Sequence, residues 1–269
     1  AYDGATRTMT INMDAGPDYA LVEIWVSRLA DGTIQWYVRG AAGTIRDTST
    51  CADGAGTLAT VANTDVVDLV GTRSGVQDGL VIDGLNRADL RSAANSWAGT
   101  GVEFRMDFGP TPVADRDRVT VLAGGGNDTI TVGTGGIGLD TGGTGLVFGG
   151  TAFPAFVSLD GGYGSDTISA AGGAGFGGPA PSPVDIEGDV GADVLTGGLA
   201  GDEIDGGTGN DTITGGAGAD TLIGDSQNDI IYANDGEPDA LIDGGAHTDT
   251  VHYDVGIDPA PTGAEIVNP

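Results

Sequence analysis

Aspartates recur at a fixed nine-residue spacing from Gly188 to Tyr232. Written in nines, this stretch reads GDVGADVLT, GGLAGDEID, GGTGNDTIT, GGAGADTLI and GDSQNDIIY, with an aspartate sixth and a large aliphatic residue eighth in every block. Calcium takes about six to eight hard oxygen ligands, which carboxylates and backbone carbonyls supply. Glycine allows backbone angles that crowd carbonyl oxygens together. The spacing therefore predicts a series of calcium sites. Their aspartates are Asp193, Asp202, Asp211, Asp220 and Asp229.

The three residues after each aspartate are predicted to form a short strand, whose middle side chain points inward because side chains alternate along a strand. Two blocks make one coil of a solenoid, so turns eighteen residues apart stack on the same edge. Stacked coils lie about 4.8 Å apart, and carboxylates at that spacing repel each other by about 3.5 kcal/mol at an effective dielectric constant of about 20. We therefore expect calcium binding and folding to be one event. The alternative, a glycine-rich linker with chance aspartates, would not keep a fixed period.

Negative charge is concentrated in the second part of the chain. The 269 residues include 39 Asp and Glu, ten Arg and no Lys, which gives a formal net charge of −29. All ten arginines lie within residues 1–118 beside 16 acidic residues, so residues 119–269 carry a net charge of −23. Such a charge excludes nucleic acid and anionic membranes as default partners. No apolar run approaches the roughly eighteen residues of a membrane-spanning helix, so we expect no membrane insertion.

Residues 1–118 have the alternation of β-strands without the nine-residue period. A turn signal at residues 30–32 predicts a hairpin between two of these strands. We interpret the region as degenerate coils of the same solenoid, and a separate β-sandwich is the competing interpretation. Only Asn86–Trp97 has a helix-like pattern. The predicted strands are Arg7–Met13, Ala20–Val26, Thr33–Val38, Asp65–Leu69, Gly79–Ile82 and Val102–Phe108.

The regular pattern begins after Arg118. The block AGGGNDTIT carries Asp128 at its sixth position, and GGYGSDTIS carries Asp166. Between them, Gly135–Asp140 has the glycines and the aspartate of a calcium turn but lacks the aliphatic residue. The proline-rich Gly178–Val184 is predicted to bulge from the solenoid, because proline cannot donate a ladder hydrogen bond.

The period slips after the fifth block. An extra residue leaves either Asp235 or Asp239 as the ligand, and the block GGAHTDTVH then restores the pattern with Asp249. The two histidines, His247 and His252, are expected to be surface residues, because no third His or Cys completes a transition-metal set.

The blocks GGYGSDTIS, GGTGNDTIT and GGAGADTLI match the motif G-G-x-G-x-D-x-U-x in full, and the chain resembles the hemolysin-type calcium-binding repeat proteins, also called repeats-in-toxin or RTX proteins. The matching blocks lie within 123–252, about half of the chain. The resemblance implies an all-β fold, a parallel β-roll or β-solenoid of short stacked strands, with several calcium ions, roughly five to nine, between its stacked turns.

The resemblance also implies the metal ligands. The implied aspartates are Asp128, Asp140, Asp166, Asp193, Asp202, Asp211, Asp220, Asp229 and Asp249, and Asp239 is the further candidate where the period slips. The implied glycines are Gly161, Gly188, Gly197, Gly206, Gly209, Gly215, Gly218 and Gly224.

Three regions follow from these patterns. Residues 1–118 form an N-terminal β region of degenerate coils or a cap, residues 119–253 form the calcium-binding roll, and residues 254–269 form a capping tail. Cys51 is the only cysteine, so no intramolecular disulfide forms. We expect a buried, inert thiol there, with intermolecular pairing as the alternative.

No enzyme is predicted, because the chain has no G-x-S-x-G, H-E-x-x-H, P-loop or Cys/His cluster. The leading hypothesis is a secreted bacterial structural protein, extracellular or on the cell surface. Calcium would fold it, and self-association into a homopolymer would build a filament, matrix or surface layer. The alternatives are a calcium-dependent adhesin or ice-binding module, and the RTX secretion and folding segment of a larger protein.

Overall fold

The computed structural model of the chain consists of strands and connecting turns in every part that it describes. The predicted helix at 86–97, Cys51 and Asp140 lie outside the described residues. Within the described part, no helix is long and apolar enough to cross a membrane. Before residue 118 the structure describes only eight strands, and of these only the backbone. From residue 118 to residue 268 it describes the chain except residues 124–125, 140–143, 149–152 and 174.

The strands form two sheets, here called sheet 1 and sheet 2. Sheet 1 contains, in spatial order, β1 (Tyr2–Asp3), β2 (Thr8–Asn12), β6 (Val66–Val70), β8 (Glu103–Met106), β12 (Thr144–Phe148), β11 (Gly136–Leu139), β10 (Thr129–Gly133), β14 (Thr167–Ser169), β16 (Val194–Thr196), β18 (Thr212–Thr214), β20 (Ile230–Tyr232), β22 (Thr250–His252) and β23 (Ile266–Asn268). Sheet 2 contains β21 (Leu241–Asp243), β19 (Thr221–Ile223), β17 (Glu203–Asp205), β15 (Val184–Glu187), β13 (Phe156–Asp160), β9 (Arg118–Leu122), β7 (Gln77–Asp83), β3 (Leu21–Arg28), β4 (Ile34–Gly40) and β5 (Ile45–Thr50).

Consecutive strands of the repeat region alternate between the two sheets. β16 in sheet 1 is followed by β17 in sheet 2 and then by β18, which pairs in parallel with β16. The parallel pairs join residues eighteen apart, such as Leu195 with Ile213 and Ile213 with Ile231. Two nine-residue blocks therefore make one coil, and the predicted all-β parallel β-roll is confirmed.

The aliphatic residue at the eighth position of each block lies inside the roll. Every such side chain from β14 to β22 is at most 1% exposed, whereas its two neighbours in the strand are half-buried or exposed. Burying one aliphatic side chain of this size stabilises a fold by about 1.5–3 kcal/mol. These side chains form a column, and their burial holds together strands of only three residues each. Its members are Ile168, Leu195, Ile204, Ile213, Leu222, Ile231, Ile242 and Val251.

The strands before residue 118 belong to the same two sheets as the repeat strands. β2, β6 and β8 lie parallel in sheet 1, and β3 and β7 lie parallel beside β9 in sheet 2. The predicted hairpin is confirmed, because β3 and β4 pair in an antiparallel manner. The described strands thus continue the two sheets of the repeat region, and whether they are coils of the solenoid or a cap stays a prediction. The boundary at residue 118 stays a prediction.

The predicted calcium turn over 135–140 is wrong for residues 136–139. These residues form β11, which pairs in an antiparallel manner with β10 and then with β12. Ile137 is fully buried in this hairpin and pairs with Val132, which is also buried. The burial of Ile137 explains the difference: glycines allow a tight turn at 134–135, and the following apolar residue packs into the roll as part of a strand.

Two residues of the proline-rich segment at 178–184 pack inside the roll, so the prediction that the segment bulges out is wrong for Ala180 and Val184. The Ala180 side chain is fully buried, its N–H donates to Ala170, and its carbonyl accepts from Leu199. Val184 begins β15 and pairs with Val157. The prolines occupy residues 179, 181 and 183, so the residues between them keep their N–H groups for these hydrogen bonds.

The C-terminal tail adds one further coil. β23 pairs in parallel with β22, and Thr262 forms a bridge to Asp243 at the end of sheet 2. Val267 lies in register with Val251, which is fully buried, yet Val267 is 42% exposed. The apolar column therefore ends in a valine that no described residue covers.

Candidate metal centre

The aspartates at the sixth position stack in two rows, one on each edge of the roll. The rows arise because each aspartate lies just before a strand, directly or, for Asp239, with Ala240 between them, and the strands stack in register. Each of these residues is at most 9% exposed. Carboxylates are rarely buried without a partner. The first row contains Asp128, Asp166, Asp193, Asp211, Asp229 and Asp249, and the second contains Asp202, Asp220 and Asp239.

One carboxylate oxygen of every row aspartate after Asp128 accepts a backbone N–H of the preceding coil. The N–H of Asp193 donates to Oδ1 of Asp211 over 2.8 Å, and the N–H of Asp211 donates to Oδ1 of Asp229 over 2.8 Å. The second row repeats this contact from Asp202 to Asp220 over 2.8 Å. Such charge-assisted hydrogen bonds fix the orientation of each carboxylate.

The second carboxylate oxygen points into the protein. In six repeats this atom is buried and accepts no hydrogen bond. An unsatisfied buried polar group costs about 1–3 kcal/mol. The same atom, Oδ2, lacks a hydrogen bond in successive coils, and this repetition is expected where each Oδ2 is a ligand to a cation. The six residues are Asp166, Asp193, Asp211, Asp220, Asp229 and Asp249.

A gap lined by oxygen atoms lies beside the first glycine of each block. A methyl group on Gly206 would lie 2.7 Å from Oδ2 of Asp211 and 3.1 Å from the carbonyl oxygen of Gly224 in the next coil. The gap thus has a carboxylate of its own turn on one side and a stacked backbone carbonyl on the other. Glycine is needed because any side chain would fill it. The same pair of oxygens surrounds Gly161, Gly188, Gly197, Gly224 and Gly244.

The ligand atoms available in these gaps are carboxylate and carbonyl oxygens only, as calcium prefers. Among the described residues, no three His, Cys, Asp or Glu side chains come together as a metal cluster. Each ion would therefore take carboxylates from the rows together with backbone carbonyls. A bound calcium ion would compensate the negative charge of the buried carboxylate oxygens.

The sequence model of the RTX calcium-binding nonapeptide repeat matches four segments, residues 113–136, 157–176, 185–213 and 205–237. The chain carries RTX calcium-binding repeats. Its repeats bind calcium. No curated protein and no solved structure matches the chain significantly.

Four residues of the RTX turns adopt the left-handed backbone conformation without being glycine. A left-handed conformation costs an L-residue about 1–2 kcal/mol. The turns therefore keep their geometry where the motif's glycine is replaced. The four residues, with their φ angles, are Asp189 at 66°, Asp225 at 69°, Gln227 at 84° and His247 at 95°.

Burial raises the pKa of the row carboxyls. Removal from water raises the pKa of Asp229 to about 7; the N–H of Asp211 lowers this pKa, and the charges of Asp211 and Asp249 raise it. Burial likewise raises the pKa of Asp239 to about 7 and that of Asp202 to about 6. A divalent cation opposes both causes, because it replaces the lost hydration and offsets the negative charge.

The structure brings nine of the ten predicted aspartates into the two rows; the tenth, Asp140, is not described. It selects Asp239 over Asp235, because Oδ1 of Asp239 accepts the N–H of Asp220 over 3.0 Å, whereas Asp235 is exposed. Gly209 and Gly218 lie two residues before an aspartate in the same turns. The roles of all these residues as ligands stay predictions.

Three acidic residues near the rows were not predicted from the sequence. Asp258 accepts the N–H of Asp239 over 3.2 Å, and Glu265 accepts the N–H of Asp249 over 2.9 Å. Asp160 has a buried Oδ1 without a hydrogen bond, and burial, followed by the charge of a neighbouring aspartate, raises its pKa to about 7. None of the three occupies a sixth position, so the nine-residue period gives no signal for them.

Substitution of Gly206 tests the gap directly. Gly206→Ala is expected to bind one calcium ion fewer per chain, measured by native mass spectrometry, because the added methyl lies 2.7 Å from Oδ2 of Asp211. Gly206 does not have a positive φ, so alanine adds no backbone strain. The matched control is Gly178→Ala, whose methyl meets no atom within 4 Å. An unchanged ion count in Gly206→Ala would contradict the assignment.

Proposed function

We propose that the protein is a secreted structural protein, which calcium folds into a roll that associates end to end with further copies of the chain. RTX repeats occur in secreted bacterial proteins, which supports the extracellular location. The chain has no G-x-S-x-G, H-E-x-x-H, P-loop or Cys/His cluster, and the proposed role involves no reaction. In this role the rows of carboxylates hold calcium, and the ends of the roll make the contacts.

The C-terminal end of the roll carries the proposal. β23 is the outermost strand of sheet 1, and within the described residues no strand pairs with its outer edge. Val267 is in register with the buried apolar column but is 42% exposed. An uncovered edge strand of this kind is a template for pairing with another chain.

The charge distribution favours head-to-tail contact. All ten arginines lie in residues 1–118, whereas residues 119–269 have a net charge of −23. Residues 1–118 carry 16 acidic residues beside these arginines, a net charge of −6, so a C-terminal end meets less repulsion from an N-terminal region than from a second C-terminal end. A head-to-tail contact that does not close into a ring generates a filament.

The assembly is tested by electron microscopy and analytical ultracentrifugation with millimolar calcium and with chelator. We expect concentration-dependent oligomers or filaments in calcium alone. Val267→Asp should reduce the association, because it places a charge on the end of the apolar column. Val194→Asp is the control, since Val194 is 45% exposed on the side of the roll. Monodisperse monomers in calcium, or association lost only in Val194→Asp, would overturn the end-to-end proposal.

A further inference from the structure

The first row of carboxylates has its last aspartate, Asp249, in the last nine-residue block, and a tail residue continues the contacts of the row. Asp249 is fully buried, its Oδ1 accepts the N–H of Asp229 over 2.8 Å, and its Oδ2 is buried without a hydrogen bond. It therefore has the same surroundings as the inner aspartates of the row. An oxygen-lined gap beside Asp249 needs a backbone carbonyl from a further coil. The segments that match the family model end at residue 237, before this coil.

The tail supplies that coil with residues that do not follow the repeat. Oε2 of Glu265 accepts the N–H of Asp249 over 2.9 Å, which is the contact that Oδ1 of the next aspartate makes in every earlier coil. Glu265 follows Asp249 by sixteen residues instead of eighteen. The longer glutamate side chain spans the shortened turn.

The oxygen-lined gap is also present at this level. A methyl group on Gly244 would lie 2.8 Å from the carbonyl oxygen of Gly263 and 3.1 Å from Oδ2 of Asp249. At Gly206, inside the repeats, the carbonyl and carboxylate oxygens lie 3.1 and 2.7 Å away. The two gaps have the same composition, although the carbonyl here comes from the tail.

We propose that this gap is a further calcium site, held by Asp249, the carbonyl oxygen of Gly263 and Glu265, which locks the tail onto the roll. The proposal rests on calcium binding by the repeats and does not depend on self-association. Glu265 and Gly263 are exposed, whereas the inner carboxylates are buried, so the site opens to solvent on one side. The site therefore fills after the inner ones as calcium rises.

Occupancy of this site controls the end of the apolar column. The tail strand β23 pairs with β22, and it places Val267 beside the fully buried Val251. A calcium ion that joins Asp249 to Glu265 holds these two strands together. Calcium concentration would thus set whether the roll ends at its last repeat or at the tail.

Hydrogen–deuterium exchange of the 269-residue chain during a calcium titration, at a dilution that prevents association, tests the site. In the unsubstituted chain, peptides from 188–232 should gain protection first, and peptides from 259–268 at a higher calcium concentration. Glu265→Gln should raise the calcium needed to protect the tail by about tenfold, because fewer charged ligands weaken calcium binding. It should also lose one ion in native mass spectra.

The matched control is Glu203→Gln, which removes the same charge from an exposed position in β17. It should leave protection of the tail and the ion count unchanged. Protection of 259–268 without calcium, or equal titration of the tail in Glu265→Gln and the unsubstituted chain, would overturn the site. Because protection of 188–232 is read in the same experiment, loss of calcium binding by the repeats is distinguished from loss of the tail site.

Discussion

Removal of calcium is expected to unfold the roll. Six buried Oδ2 atoms accept no hydrogen bond from the protein, and leaving each unsatisfied costs about 1–3 kcal/mol, or about 6–18 kcal/mol together. The whole stability of a typical domain is about 5–15 kcal/mol. Calcium opposes this cost, since each independent site filled at ten times its dissociation constant stabilises the fold by about 1.4 kcal/mol.

Far-ultraviolet circular dichroism, with and without chelator, measures this effect. The chelated chain should lose most of its β-sheet signal and regain it when calcium is returned to millimolar levels. Magnesium at the same concentration is the control for simple charge screening. It requires near-octahedral coordination at about 2.0–2.1 Å and loses its water reluctantly, so it should not restore the fold. A chelated chain that keeps its sheet signal would contradict the role assigned to the rows.

The repeat region could be predicted because its aspartates and its aliphatic residues recur with the same nine-residue period. An aliphatic residue that must be buried and an aspartate two residues earlier fix both the strand and the row, as at Ile213 and Asp211. Glycines without the aliphatic residue are a less specific signal for a calcium turn. Residues 135–140 have the glycines of a calcium turn, but burial of Ile137 makes residues 136–139 a strand of a hairpin.

The choice between Asp235 and Asp239 depends on strand register, which the period could not give. Ile242 is buried opposite Leu222, and this pairing places Asp239 beside Asp220 with one extra residue before the strand. The role of the tail could not be predicted from the sequence for a related reason. Glu265 acquires its position from the pairing of β23 with β22, and it does not lie in a nine-residue block.

Without calcium, acidification is expected to stabilise the roll, which is the opposite of ordinary acid unfolding. Burial raises the pKa of Asp166 and Asp229 to about 7 and that of Asp211 to about 6. In unfolded chains the pKa of aspartate is about 3.9. Between these values the folded state binds more protons than the unfolded state, so its stability decreases as pH rises. The contribution is complete below pH ~4 and is lost as pH rises through about 6 to 7.

Circular dichroism of the calcium-free chain between pH 8 and pH 5 measures this dependence, within a range that stays above the isoelectric point of about 4.1. The β-sheet signal should increase as pH decreases. Asp211→Asn, which mimics the protonated side chain, should have more sheet signal than the unsubstituted chain at pH 8; Asp254→Asn, at a half-buried position outside both rows, is the control.

In the presence of calcium the same protons compete with the metal. The half-saturating calcium concentration should therefore increase as pH falls below about 7, because each proton bound by a row carboxyl must leave before the metal can bind. The two opposite dependences distinguish the rows from an acidic surface, whose carboxylates keep ordinary pKa values and titrate below this range. Loss of sheet signal on acidification of the calcium-free chain would show that burial does not hold these carboxyls protonated.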